Sequence, residues 1–216
     1  MNRPQNNGDK HMQIQTTSTA RVRTSVAKGL AAVAALAVAS SAQAHPGHGA
    51  ESFAAGLAHP FGGLDHLLAM VAVGMWSVVA LPKAWRTAGP AVFLAALLPG
   101  AALAAGGIGL PWVEAGIALS VTALAALMLN ARRIAPVTGF ALVAMAGVLH
   151  GQAHGAELAG GHSFMAYAAG FMAASTLLHI VGLCAGASLQ RLPGWAWRAA
   201  SALIGGSGLF MLAARV

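Results

Sequence analysis

From residue 64 onward, polar positions are confined to short breaks between long apolar stretches. The stretches run near 64–81, 88–106, 113–130, 135–153, 164–186 and 196–214. Each approaches the ~20 mainly apolar residues that cross a bilayer as a helix. Gly and Pro interrupt several of them, which transmembrane helices tolerate better than soluble ones. A shorter apolar run, Leu30 to Ala39, follows Arg21, Arg23 and Lys28 and precedes "SSAQA". That order is a basic region, a short hydrophobic region and a small-residue cleavage site after Ala44. Residues 1–20 are polar and read as a disordered extension. The pattern predicts an all-α, polytopic membrane bundle of six transmembrane helices over 45–216, behind a cleavable signal peptide at 1–44.

Placing the cations on this pattern gives an orientation. Lys83 and Arg86 lie between the first and second stretches, Arg132 and Arg133 between the third and fourth, and Arg191 and Arg198 around the last turn. The loops near 107–112 and 154–163 have no Lys or Arg. Positive loops stay cytoplasmic. The expected location is therefore the inner (cytoplasmic) membrane of a bacterium, with the mature N-terminus and the C-terminus on the periplasmic side. Only Arg215 breaks the alternation.

Composition supports the lipid bilayer as the chain's solvent. Of the 216 residues, 57% are hydrophobic and 8% charged, with mean hydropathy +0.69; soluble domains carry about 25% charged residues. The net charge of +7 does not point to nucleic acid. Residues 1–44 contribute five basic groups and one acid, and no basic cluster of the kind that tracks phosphates remains beyond them. A single cysteine, Cys184, excludes an internal disulfide framework and any site of several thiolates.

The polar residues that remain gather toward one face. His45, His48, Glu51, His59, Asp65 and His66 lie at or before the outer end of the first span. Glu114 starts the third, His150, His154 and Glu157 end the fourth, and His162 precedes the fifth; only His179 falls deep. A charged group inside a membrane costs roughly 2.5–3.5 kcal/mol on insertion scales and marks a functional site by default. Imidazoles and carboxylates are the usual ligands of borderline divalent cations.

Two motifs carry most of this chemistry. In "HPFGGLDH" (59–66), Pro60 biases His59 away from helix, Gly62 and Gly63 permit a turn, and a helix is expected to begin near Asp65. Residues 52–81 are too long for one straight span, so a broken or re-entrant entry is predicted. A simple helix cap is the alternative role for Asp65. In "HGQAHGAE" (150–157), His150 and His154 are i, i+4 and Glu157 is i+7, one face if the helix continues. Gly147, Gly151 and Gly155 form a close-packing seam beside them, expected to bring the first and fourth spans together. Weaker features are His45 and His48 as a chelating amino-terminus, Met70 four residues after His66, Glu114, His162, and His179 as an inner relay. Simple packing is the commoner role for Met70, and a hydrogen bond to a neighbouring helix for His179.

At "HPFGGLDHLLAMVAVGMW" (59–76) and "LHGQAHGAE" (149–157) the chain resembles the HupE/UreJ family of membrane proteins. The resemblance extends over 45–216. It implies a permease for nickel, in some members cobalt, serving hydrogenase or urease maturation. It further implies His59, Asp65, His66, His150, His154 and Glu157 as metal residues.

The leading expectation is therefore transport of a divalent metal ion into the cytoplasm, most of all nickel, with cobalt or zinc as other cargoes. The metal is cargo, and no permanently bound cofactor is expected. No G-x-x-x-x-G-K-[ST] motif occurs, so the chain carries no ATPase of its own. The alternatives are a zinc-dependent intramembrane hydrolase, with Asp65 or Glu157 as base, and a metal-binding accessory or sensor protein. Homo-oligomer formation stays open.

Overall fold

The computed structural model describes residues 53–157 and 164–216, and among them all regular structure is helical. The segment 1–44, His45, His48, Glu51 and His162 lie outside the described residues. Seven α-helices follow one another: α1 Phe53–Gly62, α2 Leu64–Ala80, α3 Ala88–Ala105, α4 Val113–Leu129, α5 Pro136–Ala156, α6 Phe164–Leu189 and α7 Gly194–Ala213, with a short 3-10 turn at Lys83–Trp85. Helices α2 to α7 match the six apolar stretches closely. Among the described residues, three segments are long and apolar enough to cross a membrane, namely Lys83–Ala105, Pro136–Ala156 and Phe164–Leu189. The pair α1 and α2 also qualifies as one unit, bent by 84° at its break. This is the broken entry that the length of 52–81 predicts.

One local expectation fails. His59 and Pro60 lie inside α1 and not in an extended approach to it. Tertiary packing overrides the bias of the residue before proline. Helix α1 lies against α6, where Gly56 and Gly170 each let the backbone of the other helix approach; a Cβ at Gly170 would stand 2.7 Å from the Leu57 nitrogen. The chain turns at Gly63, the N-cap of α2, which carries no side-chain cap. Asp65 is thus in the first turn and does not cap the helix.

Glycine governs the other close contacts too. The most extensive helix pair is α3 with α5, followed by α2 and α1 on α6 and by α4 on α7. Gly147 faces the Phe93 carbonyl, Gly151 that of Leu97 and Gly155 that of Ala101. The seam therefore packs α5 on α3, and not on the first span as the sequence suggests. In bilayer helices small residues permit such approach, because dispersion packing and not water exclusion holds the pair together. The core they enclose is built on Trp76, Phe93, Leu97, Leu124, Met128 and Phe171, each nearly or fully buried.

Candidate metal centre

The site forms where three helix ends meet. His59 lies in the last turn of α1, Asp65 and His66 in the first turn of α2, and His150 and His154 in the last turns of α5. The break at Gly63 folds the two arms of the bent pair toward each other, so the His59 and His66 rings lie 5.6 Å apart. His154 then meets both, at 4.5 Å from His59 and 4.8 Å from His66. His150 lies 4.6 Å from His66. One ring nitrogen from each of His59, His66 and His154 lies within 4.8 Å of the others, a spacing that suits a shared cation.

The hydrogen bonds fix which nitrogen each ring leaves open. Carboxylates and carbonyls only accept, so a nitrogen bonded to one must donate. His66 Nδ1 donates to Asp65 Oδ1 over 2.6 Å, and His59 Nδ1 donates to Glu157 Oε2 over 2.9 Å. The Ser120 hydroxyl donates to the Ile117 carbonyl and so accepts from His150 Nε2 at 3.2 Å. In the neutral rings this leaves lone pairs on His66 Nε2, His59 Nε2 and His150 Nδ1. Among the described residues, His66 Nε2, His150 Nδ1 and both nitrogens of His154 are buried with no hydrogen-bond partner. Such atoms each cost about 1–3 kcal/mol when unsatisfied, and here several converge on one place. A cation would satisfy the lone pairs of His66 Nε2 and of one His154 nitrogen.

Carboxylates stand behind the imidazoles. Gly63 makes the Asp65–His66 pair feasible, since a Cβ there would lie 2.7 Å from Asp65 Oδ1 and 3.1 Å from His66 Nδ1. Glu157, the C-cap of α5, also accepts from the Tyr167 hydroxyl at 3.3 Å. Partial burial works against its charge, but the hydrogen bond and the proximity of His59, together with Tyr167, hold its carboxyl below the usual range. A carboxylate bonded to the far nitrogen of an imidazole in this way orients the ring and raises its basicity.

Below the trio the lining becomes aromatic. His154 stacks on Phe171 at 4.6 Å and 7°. The Phe93 ring is 5.7 Å from His150 and 5.0 Å from His179. His179 donates through Nδ1 to the Ser175 carbonyl of its own helix, not to a neighbouring one, and its Nε2 is buried without a partner. Met70 is fully buried in the apolar core.

Some site residues carry little signal in sequence. Gln152 accepts from the Leu110 amide at 2.9 Å and donates to the Gly100 carbonyl at 3.1 Å, tying the 107–112 loop to α5. Its only sequence signal is a polar side chain between two histidines. Ser120 and Tyr167 look like ordinary members of apolar helices. Arg215 donates to Asp65 Oδ2 at 2.6 Å, lies 3.4 Å from Glu114 Oε2 and bonds the Glu114 carbonyl at 2.8 Å. Its sequence signal is the exception it makes to the charge alternation.

The chain matches the family model described as HupE / UreJ protein over residues 33–211. It is 42% identical over 152 residues to Protein HupE of Rhizobium leguminosarum bv. viciae, a span of 70% of this chain and 78% of that relative. No solved structure matches it.

Proposed function

The chain belongs to the HupE/UreJ family, permease-like accessory membrane proteins and not enzymes, and on that premise we propose that it carries nickel ions inward across the bacterial inner membrane. The observation that carries this reading is the trio His59, His66 and His154, whose nitrogens lie within 4.8 Å of one another. Neutral imidazole favours nickel, cobalt and zinc over magnesium and calcium, which select oxygen ligands. Nickel outranks cobalt in the general affinity order for such sites. The Asp65 and Glu157 charges attract the ion, while the ring nitrogens replace part of its water shell. His150 lies next along the proposed path, and Phe93 contacts both it and His179.

The proposal includes the membrane arrangement. Six spans, α2 to α7, follow a signal peptide cleaved after Ala44, with the mature amino-terminus and Arg215 on the periplasmic side. The arrangement rests on the alternation of basic and uncharged loops and on six helices of 17 to 26 residues. The three histidines then lie near the periplasmic ends of α2 and α5, where an ion from outside first arrives.

Uptake of radiolabelled nickel, cobalt and zinc in cells with and without the protein tests the reading. Nickel should accumulate fastest, and His154→Ala should abolish the gain while the protein stays in the membrane. Equal uptake with and without the protein overturns it.

A further inference from the structure

Asp65 uses both of its oxygens. Oδ1 accepts from the His66 backbone amide and from His66 Nδ1, each at 2.6 Å. Oδ2 faces the other way and accepts from the Arg215 guanidinium at 2.6 Å. Arg215 lies just past α7, at the far end of the chain from Asp65, and its second partner is Glu114 at the start of α4. The Asp65 side chain is 6% exposed and that of Arg215 27%. A buried carboxylate in a membrane protein needs a positive partner. The guanidinium fills that role from the exposed side, behind the imidazole that faces His59 and His154.

We propose that Arg215 is a tethered counter-cation that shares Asp65 with the transported ion and thereby limits how tightly the site holds it. This rests on the metal-site reading above. Asp65 neutralises Arg215 through one oxygen, while through the other it lends charge to His66. A divalent ion on His66 and the guanidinium of Arg215 then repel one another across a single carboxylate. A permeation site must bind strongly enough to strip water yet release its ion. A fixed positive charge behind the ligands weakens the bound state without removing a ligand. It also keeps Asp65 paired between transport events, so that the empty site does not hold an uncompensated buried charge.

The arrangement differs from an ordinary surface ion pair. An exposed Arg–carboxylate pair is worth little and its loss changes little. Here the carboxylate is buried and bonded to an imidazole of the trio, so neutralising the guanidinium alters the charge felt at the ligand nitrogens.

Nickel titration calorimetry on the detergent-purified full chain tests the role, using nickel chloride with the unmodified protein, Arg215→Gln and Arg215→Lys. Arg215→Gln, a shorter side chain that keeps an amide donor but not the charge, should bind nickel at least about tenfold more tightly. Arg215→Lys should stay within about threefold of the unmodified protein, because the charge is kept. Unchanged or weaker nickel binding by Arg215→Gln, with the unmodified protein binding normally, overturns the role of Arg215 alone. Equal tightening by the Lys variant points to loss of geometry and also overturns it. No nickel binding by the unmodified protein overturns the metal-site reading and the role of Arg215 with it.

Discussion

His66 donates its Nδ1 hydrogen to Asp65 across 2.6 Å, and its other nitrogen, Nε2, is buried without a partner. Adjacent residues in a helix seldom share a side-chain bond, because their side chains diverge by about 100° around the axis. The pair forms here at the first turn of α2, next to a glycine whose missing Cβ leaves room for it. The consequence is a ring held in one tautomer and one orientation.

Asp65→Asn should therefore reduce nickel affinity by about 10–100-fold, the usual effect of losing a carboxylate behind a metal-binding imidazole. The fold should persist, since asparagine keeps the shape and an acceptor. Calorimetry of the purified variant beside its circular dichroism spectrum checks both parts. Unaltered affinity would separate Asp65 from the site.

Replacing His154 by Leu should abolish nickel binding and leave thermal stability equal or higher. His154 is fully buried, stacked on Phe171, and neither nitrogen has a partner. Removing unsatisfied buried atoms is worth about 1–3 kcal/mol each, against a modest change in packing. A metal-free melting curve is the measurement. A large fall in melting temperature with binding retained contradicts the assignment of His154 to the metal.

Metal binding should weaken as the pH falls, because a protonated imidazole has no lone pair left for the ion. Glu157 stays ionised down to about pH 4.5, because its carboxyl is held below that usual value. The loss thus reports imidazole. The stabilising contribution of Glu157 has a different range: complete above about pH 4.5, it declines only as the pH falls further toward the depressed value. Nickel titrations at stepped pH between about 5 and 8 should show the first effect and not the second. A pH-independent affinity would exclude a histidine site.

Gly151→Ala should destabilise the protein by about 1–3 kcal/mol through overpacking. The new methyl would lie inside contact distance of the Leu97 carbonyl and 2.8 Å from the Ala101 nitrogen, both backbone atoms that cannot rotate away. Gly206→Ala is the matched control, since nothing lies within 4 Å of that position. Denaturant unfolding in detergent compares them. Equal stability of the two variants would mean that α3 and α5 are not packed through this seam.

For the membrane arrangement, a cysteine introduced at Gly109 should react with an impermeant reagent from outside, and one at Arg132 should not. The native Cys184 is exposed and must first be replaced. Labelling in the opposite sense inverts the proposed direction of transport.

Hydropathy and residue spacing alone determine the helices from α2 onward, the broken entry and most of the residues proposed as metal ligands. The reason is that bilayer helices satisfy their backbone internally, so an apolar run of sufficient length has few other structures open to it. Motif spacing likewise places His150 and His154 on one helix face. Only tertiary structure decides which helices touch. Glycines at every fourth position announce a close partner but cannot name it; the partner of α5 is α3, set by the match with the Phe93, Leu97 and Ala101 backbone. Packing of Gly56 against Gly170 draws His59 into a helix that local propensity opposes. Arg215 meets Asp65 150 positions away in the chain. Such a pairing depends on how the helices share space, and no local pattern encodes it.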